Sequence, residues 1–88
     1  MDARWHVYIL ECADGTLYTG VATDVARRVR EHNESAKGAR YTRARRPVRL
    51  VHAEAFATRS AACAREAAIK KLAREEKRRL VAGSRKDA

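Results

Sequence analysis

The stretch VYILECADGTLYTG, residues 7–20, constrains the fold more than any other part of the chain. Its first half is rich in β-branched and aromatic residues, and a second run of similar character follows Asp14 and Gly15. Two such runs around an Asp-Gly pair are typical of a β-hairpin. The chain therefore starts with two antiparallel strands.

Two turns fit this hairpin, and they differ in where they place the tyrosines. A two-residue turn at 14–15 places Tyr8 and Tyr18 on opposite faces, because side chains alternate along a strand. A three-residue loop at 13–15, with its glycine left-handed, places both on one face beside Gly20. The residues allow both registers, but only the second brings the two phenols together.

Hydrophobic periodicity and turn residues divide the rest of the chain. We predict strands at 4–12 and 16–21, a helix at 23–34, a loop at 35–47, a strand at 48–56, a helix at 59–74 and a short helix at 75–82 that ends at Gly83. Thr23 or Asp24 is expected to cap the first helix. Thr58 or Ser60 is expected to cap the second.

These elements predict an α+β fold of the order ββαβαα, with a small three-stranded, mainly antiparallel sheet flanked by helices. At 88 residues the chain has room for one domain. We expect that domain to span residues 1–82, followed by a flexible tail at 83–88.

The formal net charge of +9 favours a polyanionic partner, of which nucleic acid is the simplest. A compositional excess of arginine is the alternative explanation. We find no apolar run long enough for a membrane span and no signal peptide, so we expect a cytoplasmic protein without a membrane partner. Cys12 and Cys63 stand alone, which favours reduced thiols over a disulfide, and no Cys/His metal cluster is present in the sequence.

The order and spacing of several short motifs resemble the GIY-YIG nuclease domain. They are Tyr8, the run Tyr18-Thr19-Gly20, the segment DVARRVREH and a glutamate in a later helix. The resemblance covers about residues 4–82 and is greatest to small stand-alone bacterial members. The first motif is reduced to His6-Val7-Tyr8, and Thr19 replaces the central isoleucine of the second.

The resemblance implies a metal-dependent endonuclease that hydrolyses DNA phosphodiester bonds. It implies catalytic roles for Tyr8, Tyr18, Arg28 and His32, a metal-binding role for Glu66 and a structural role for Gly20. The cofactor would be Mg²⁺, with Mn²⁺ as an alternative, and no organic cofactor is expected. Of the two phenols, Tyr18 is favoured as general base or water-positioning group, with Tyr8 in support.

The chemistry of these residue types agrees with that implication. Arg28 and His32 lie four residues apart, so they share one helix face. The resemblance implies Arg28 rather than Arg27, because the family's catalytic arginine precedes a helix histidine or tyrosine by four residues. A guanidinium offers a fixed fork of donors that suits a phosphate. A lone carboxylate, Glu66, can hold Mg²⁺ whose other ligands are waters and substrate oxygens. The simpler alternative for Glu66 is a surface ion pair with Lys70.

Arginines interleaved with an aromatic residue in the 35–47 loop suit contacts to a nucleic-acid backbone and stacking on bases. The expected nucleic-acid-binding residues are Arg27, Arg40, Tyr41, Arg43, Arg45, Arg46 and Lys70. A merely solvated loop is the alternative.

Structured or damaged DNA is the substrate that the resemblance implies. One departure bears on activity: Val21 stands where larger repair members of the family often carry a lysine. The alternative function is therefore a nucleic-acid-binding module with weak or no catalytic activity. A small adaptor acting through protein contacts is a third hypothesis.

Overall fold

Residues 4–86, the part of the chain that this computed structural model describes, form three strands and four helices. The elements are β1 (Trp5–Glu11), β2 (Leu17–Ala22), α1 (Val25–Glu34), α2 (Arg40–Arg43), β3 (Arg49–Phe56), α3 (Arg59–Lys70) and α4 (Arg74–Lys86). Apart from the single turn α2, this is the predicted ββαβαα order. Over this part of the chain, every helix is too short or too polar to cross a bilayer.

The hairpin contains the three-residue loop at 13–15. The amide of Cys12 donates to the carbonyl of Thr16 at 2.9 Å, which closes the loop. Gly15 has a φ of 84°, in the left-handed region that glycine adopts without strain. The two-residue turn is thereby excluded.

The register of β1 and β2 follows from this loop. Tyr8 lies opposite Gly20, and Leu10 lies opposite Tyr18. Because the two tyrosines are then diagonal neighbours across the pair, they share one face of the sheet. The three-residue alternative is the correct one.

The sheet has the order β2-β1-β3, with β1 antiparallel to both neighbours. Helices cover both faces. On one face, Tyr8, Leu10, Cys12 and Val48 are buried and pack with Val25 and Val29 of α1. On the other, a core forms from Val7, Ile9, Ala62, Ile69 and Val81 of β1, α3 and α4. The central strand therefore contributes to both cores.

Side-chain hydrogen bonds show which residue caps α1 and which caps α3. Asp24 accepts a hydrogen bond from the amide of Arg27 at 3.0 Å, so it caps α1. Thr58 accepts from the amide of Ala61 at 3.1 Å, so it caps α3. Each satisfies an amide that has no partner within its helix.

Three predicted boundaries are wrong. The 35–47 segment is not entirely loop, because it contains α2. The helix predicted at 59–74 stops at Lys70, and a new helix starts at Arg74. That helix continues through Gly83 to Lys86, and a Cβ atom at Gly83 would meet no described atom within 4 Å. Residues 87–88 of the predicted tail lie outside the described residues.

The two cysteines are free thiols, as expected. Cys12 is buried in the core on the α1 face, and Cys63 is half-buried on α3. No disulfide joins them.

Candidate active site

A cleft at the β2 edge of the sheet brings most of the expected catalytic residues together. It has a volume of about 310 Å³ and is lined by Trp5, Tyr8, Tyr18, Gly20, Val21, Arg28, Arg59, Cys63 and Glu66. These residues come from β1, β2, α1 and α3, which are far apart in sequence. Four of the five residues expected to act in catalysis or metal binding line the cleft, and the fifth, His32, lies beneath Tyr8.

Gly20 is required because the Tyr8 ring crosses β2 at that residue. A Cβ atom at Gly20 would lie 2.5 Å from the Oη atom and 2.6 Å from the Cζ atom of Tyr8. No side chain fits there without moving the ring. The glycine thus allows the buried Tyr8 side chain to carry its hydroxyl to the cleft.

Burial raises the pKa of Tyr8 to about 12, and the nearby Tyr18 adds to the effect. Arg28 opposes it, because a guanidinium beside the phenol favours the phenolate. Glu66 raises the pKa further by its negative charge. Tyr8 is therefore a neutral phenol in the free protein, with both a cation and a carboxylate close enough to influence its proton.

A directional chain of hydrogen bonds starts at the Tyr8 hydroxyl. The Oη atom lies 2.8 Å from Nε2 of the fully buried His32, and Nδ1 of His32 lies 2.7 Å from Oγ1 of Thr42. Thr42 donates its proton to the carbonyl of Ala39 at 2.9 Å. The amide of Ala39 also points to Nδ1, but at the longer distance of 3.4 Å. On the shorter contact to Thr42 we assign the tautomer in which Nδ1 carries the proton and donates to Thr42. Nε2 then accepts from Tyr8.

Burial lowers the pKa of His32 to about 4, and the charge of Arg28 acts in the same direction. The imidazole is consequently neutral near pH 7 and presents a lone pair to the phenol. Sequence spacing places Arg28 and His32 on one helix face, but the structure separates their roles. Arg28 reaches the cleft, whereas His32 lies behind Tyr8 and packs edge-on against Tyr18 at 5.2 Å between ring centroids.

Arg28 is held in place at the mouth of the cleft. Its Nη1 atom donates to the carboxylate of Glu31 at 3.0 Å and to the carbonyl of Lys37 at 2.9 Å. These contacts fix one edge of the guanidinium. A positioned cation of this kind suits the non-bridging oxygens of a phosphate.

Glu66 projects from α3 into the same cleft, and it also forms the simpler ion pair with Lys70, at 3.5 Å. Within residues 4–86, no three His, Cys, Asp or Glu side chains group together as metal ligands. A single carboxylate nevertheless fits Mg²⁺, which keeps several waters and takes substrate oxygens as ligands. Its effect on the pKa of Tyr8 shows that its charge is felt at the phenol. The donor set therefore fits one hydrated divalent ion.

The basic residues of the 35–47 segment divide into exposed and engaged ones. Arg40 and Arg43 are exposed, as nucleic-acid contact requires. Arg27 is also largely exposed and pairs with Glu31 at 3.4 Å. These three arginines remain candidates for phosphate contact.

Tyr41 already has aromatic and cationic neighbours. Its ring stacks with Tyr18 at 6.1 Å, and the guanidinium of Arg45 lies 3.8 Å from its centroid. Arg45 is in turn tied to Asp14 of the hairpin loop at 3.0 Å. Stacking on a base would require Arg45 or Tyr18 to move. The structure thus supports a bracing role for Tyr41 against Tyr18 more directly than a base platform.

Arg46, one of the expected nucleic-acid-binding residues, makes contacts within the fold. Its guanidinium donates to the carbonyl groups of Glu31, His32 and Ser35 at the end of α1. Two of these carbonyl groups also accept backbone hydrogen bonds, Glu31 from Ser35 at 3.0 Å and Ser35 from Gly38 at 3.2 Å. Because Nε and Nη2 of Arg46 are engaged in this way, the nucleic-acid contacts proposed below do not include Arg46.

Sequence reasoning missed two kinds of residue at this site. Thr42 lies ten positions from its partner His32, in a segment without periodicity, and no local signal connects the two. Arg74 and Lys77 fall within the helices predicted at 59–74 and 75–82 and carried no functional prediction, although they line clefts beside Tyr18 and Leu17. Their charge was visible in the sequence, but their position depends on the turn between α3 and α4.

Comparisons with known proteins agree with this arrangement. The family model described as the GIY-YIG catalytic domain matches residues 4–79. A UPF0213 protein of Desulfotalea psychrophila is 62% identical over 82 residues, covering 93% of this chain and 74% of that protein. A second, from Haloquadratum walsbyi, is 61% identical over 80 residues and covers 91% and 89% of the two chains. The solution NMR structure of a UPF0213 protein from Bacillus halodurans is 50% identical, with a TM-score of 0.58, and covers 89% and 82%.

Proposed function

This chain belongs to the GIY-YIG family, and we propose on that premise that it is a metal-dependent endonuclease that hydrolyses DNA phosphodiester bonds. The observation that carries the proposal is the Tyr8 hydroxyl, bonded at 2.8 Å to a buried neutral histidine. It faces a cleft that also holds Arg28, Tyr18 and Glu66. A base, a phosphate-binding cation and a metal-binding carboxylate are what such hydrolysis needs.

Substrate binding starts with Arg28 in this proposal. The phosphodiester group occupies the cleft, and the guanidinium donates to its non-bridging oxygens. The same contact stabilises the negative charge that increases on those oxygens as water attacks. Because Glu31 and Lys37 already orient Arg28, little side-chain entropy is lost on binding.

Tyr8, rather than Tyr18, is the group that we assign to the attacking water. The Tyr8 O–H points to His32 and Oη accepts a hydrogen bond from Arg28, which leaves one lone pair of Oη to accept a proton from water in the cleft. As the water attacks, its proton passes to Oη, and the Tyr8 proton passes to Nε2 of His32. Across residues 4–86, the Tyr18 hydroxyl has no such proton acceptor. Tyr18 packs against His32 and helps to fix the ring.

The low pKa of His32 makes it a weak base in the free protein. A phosphate bound to Arg28 adds negative charge next to the imidazole and offsets one cause of that depression. Substrate binding therefore moves the His32 pKa in the direction that the proton transfer requires.

Glu66 is the residue that would hold the divalent ion. When bound, such an ion neutralises charge on the phosphate and on the departing oxygen. Glu66 lies on α3, and the Nζ atom of Lys70 lies 3.5 Å from its carboxylate and partly neutralises its charge. Displacing Lys70 frees the carboxylate for this role.

The test is a nicking assay on supercoiled plasmid and on branched DNA, with Mg²⁺, Mn²⁺ or EDTA. We expect metal-dependent nicking that Arg28→Ala and Glu66→Ala both abolish. Arg30→Ala, which removes an exposed arginine from the same helix, is the matched control and should retain activity. Nicking that persists in both site variants would contradict the site assignment and indicate a contaminating nuclease.

A nucleic-acid-binding module with weak or no catalysis is the second candidate function. Val21, which lines the cleft, supplies no proton donor or cation there, and Lys70 occupies the only ion pair of Glu66 among the described residues. Binding without nicking under any metal condition would favour this candidate. Steep loss of binding with salt would still identify a nucleic-acid ligand, whereas a flat salt response would favour a protein adaptor.

A further inference from the structure

Two further clefts continue the catalytic cleft along the edge of β2. The first, of about 220 Å³, shares Tyr18 with the catalytic cleft and is lined on its other side by Tyr41, Lys70 and Lys77. The second, of about 190 Å³, shares Leu17 and Lys77 with the first. We call this pair of adjoining clefts the β2-edge groove. It leads from the reacting centre to the start of α4.

The β2-edge groove has a strong excess of positive charge. Four cations line it, Lys70, Arg74, Lys77 and Arg78, and no aspartate or glutamate of residues 4–86 does. Arg78 is paired with Glu11 at 2.9 Å, and Lys70 with Glu66 at 3.5 Å. In contrast, Arg74 and Lys77 have no carboxylate at ion-pair distance anywhere in the described chain. Two cations without counter-ions in one groove favour an anionic ligand.

The opposite side of the catalytic cleft lacks this excess. The cleft that adjoins it there is lined by Asp24 and Glu31 as well as by two arginines. Glu31 pairs with both of them, Arg27 at 3.4 Å and Arg28 at 3.0 Å. The charge around the reacting centre is therefore asymmetric, with the uncompensated cations on the α3–α4 side.

We propose that the β2-edge groove binds the phosphates of the nucleic-acid strand on one side of the scissile bond, with Arg74 and Lys77 as the contacts. The proposal rests on the nuclease function proposed above and adds the direction in which the substrate strand leaves the cleft. The contacts are charge contacts to the backbone, so binding in the groove tolerates any base sequence. The strand on the other side of the bond is held more weakly.

Two double variants of equal charge separate this groove from general electrostatics. Arg74→Ala/Lys77→Ala removes two cations from the groove. Lys71→Ala/Arg79→Ala removes two exposed cations that line none of the three clefts. Alanine suits all of these helix or helix-cap positions, and thermal melts establish that both proteins are folded. Arg74→Gln/Lys77→Gln and Lys71→Gln/Arg79→Gln repeat the comparison with side chains closer in length to the originals.

The measurement is fluorescence anisotropy of a labelled single-stranded oligonucleotide in EDTA, as a function of salt. Each phosphate contact contributes about 0.7 to the slope of log K against log salt on a single strand. We expect the groove double variant to lower the slope by about 1.4 and the control double variant to leave it nearly unchanged. Equal slopes for the two doubles, or no loss in either, would overturn the proposal.

This result is independent of catalysis. If the wild-type protein shows the groove-dependent slope but never nicks DNA, the groove stands and the nuclease proposal fails. If it nicks DNA while the two double variants bind with equal slopes, the nuclease proposal stands and the groove is refuted.

Discussion

Gly20→Ala tests the geometry that places Tyr8 in the cleft. The new methyl group would lie 2.5 Å from Oη and 2.6 Å from Cζ of a ring that is almost fully buried. The ring cannot turn into solvent without losing its bond to His32. It must therefore shift by about 1 Å, because ordinary contacts begin above 3.4 Å.

Two penalties destabilise the Gly20→Ala protein, and one smaller gain offsets part of them. Overpacking a core costs about 1–3 kcal/mol, and leaving the His32 Nε2 atom without a donor costs about 1–3 kcal/mol more. Replacing glycine in a strand gains about 0.5–1 kcal/mol from the unfolded chain. We expect a net loss of about 1–5 kcal/mol, and for a domain of this size each kcal/mol lowers the melting temperature by about 4–8 °C.

The assays are calorimetry and plasmid nicking on the same preparations. Activity should fall further than stability explains, since the Tyr8 oxygen moves away from the position of the attacking water. Gly83→Ala is the control, because Gly83 lies within α4 and a Cβ there meets nothing within 4 Å. That change should stabilise the protein by about 1 kcal/mol. A Gly20→Ala protein as stable and as active as the wild type would refute the proposed crossing of Tyr8 over β2.

The remaining predictions concern the relay and the helix ends. Because folding lowers the pKa of His32 from 6.5 to about 4, protonation favours the unfolded chain, and about 3 kcal/mol of stability is lost as pH falls through that window. Urea unfolding at several pH values measures this slope, and an unchanged stability down to about pH 5 would contradict it. Tyr8→Phe should lower the nicking rate by about 100-fold or more while the chain stays folded, and a rate within a few-fold of wild type would exclude Tyr8 as the base. Arg46→Lys should destabilise by about 1–3 kcal/mol in urea, since lysine cannot reach three carbonyl groups at once. Thr58→Ala should lower the free energy of unfolding by about 1 kcal/mol, because it removes the side-chain cap of α3. Its nicking rate per folded molecule should equal that of the wild type.

Local patterns predicted the hairpin, the sheet and the order of elements because each has a short-range physical cause. Gly15 and the strand periodicity narrowed the turn to two registers. Choosing between them needed the pairing of Tyr8 with Gly20, which the chain fixes only when the sheet forms. The family motifs then identified four residues that the structure brings into one cleft, Tyr8, Tyr18, Arg28 and Glu66.

Contacts between segments that are far apart in the chain could not be predicted from the sequence. The link from His32 to Thr42 depends on how α2 folds back onto α1, and α2 is too short to leave a periodic signal. The sequence placed Arg46 in a loop, where an arginine suggests a surface cation. Its hydrogen bonds to the end of α1 form only once the chain has turned back onto that helix. Gly83 looked like a helix end, yet glycine ends a helix only where the backbone must become left-handed.

The sheet order gives the central strand β1 two partners that become available at different times. Its pairing with β2 closes only the short loop at 13–15, whereas Glu11 and its β3 partner Arg49 are 38 residues apart. Loop-closure entropy therefore favours the hairpin as the earlier event and the β1–β3 ladder as the later one. During synthesis, β1 emerges from the ribosome before β2 and β3, so the edge of β1 that pairs with β3 stays open until residue 56 has emerged. Folding errors of this chain should accordingly arise at that edge, where another strand can pair with β1 before β3 does.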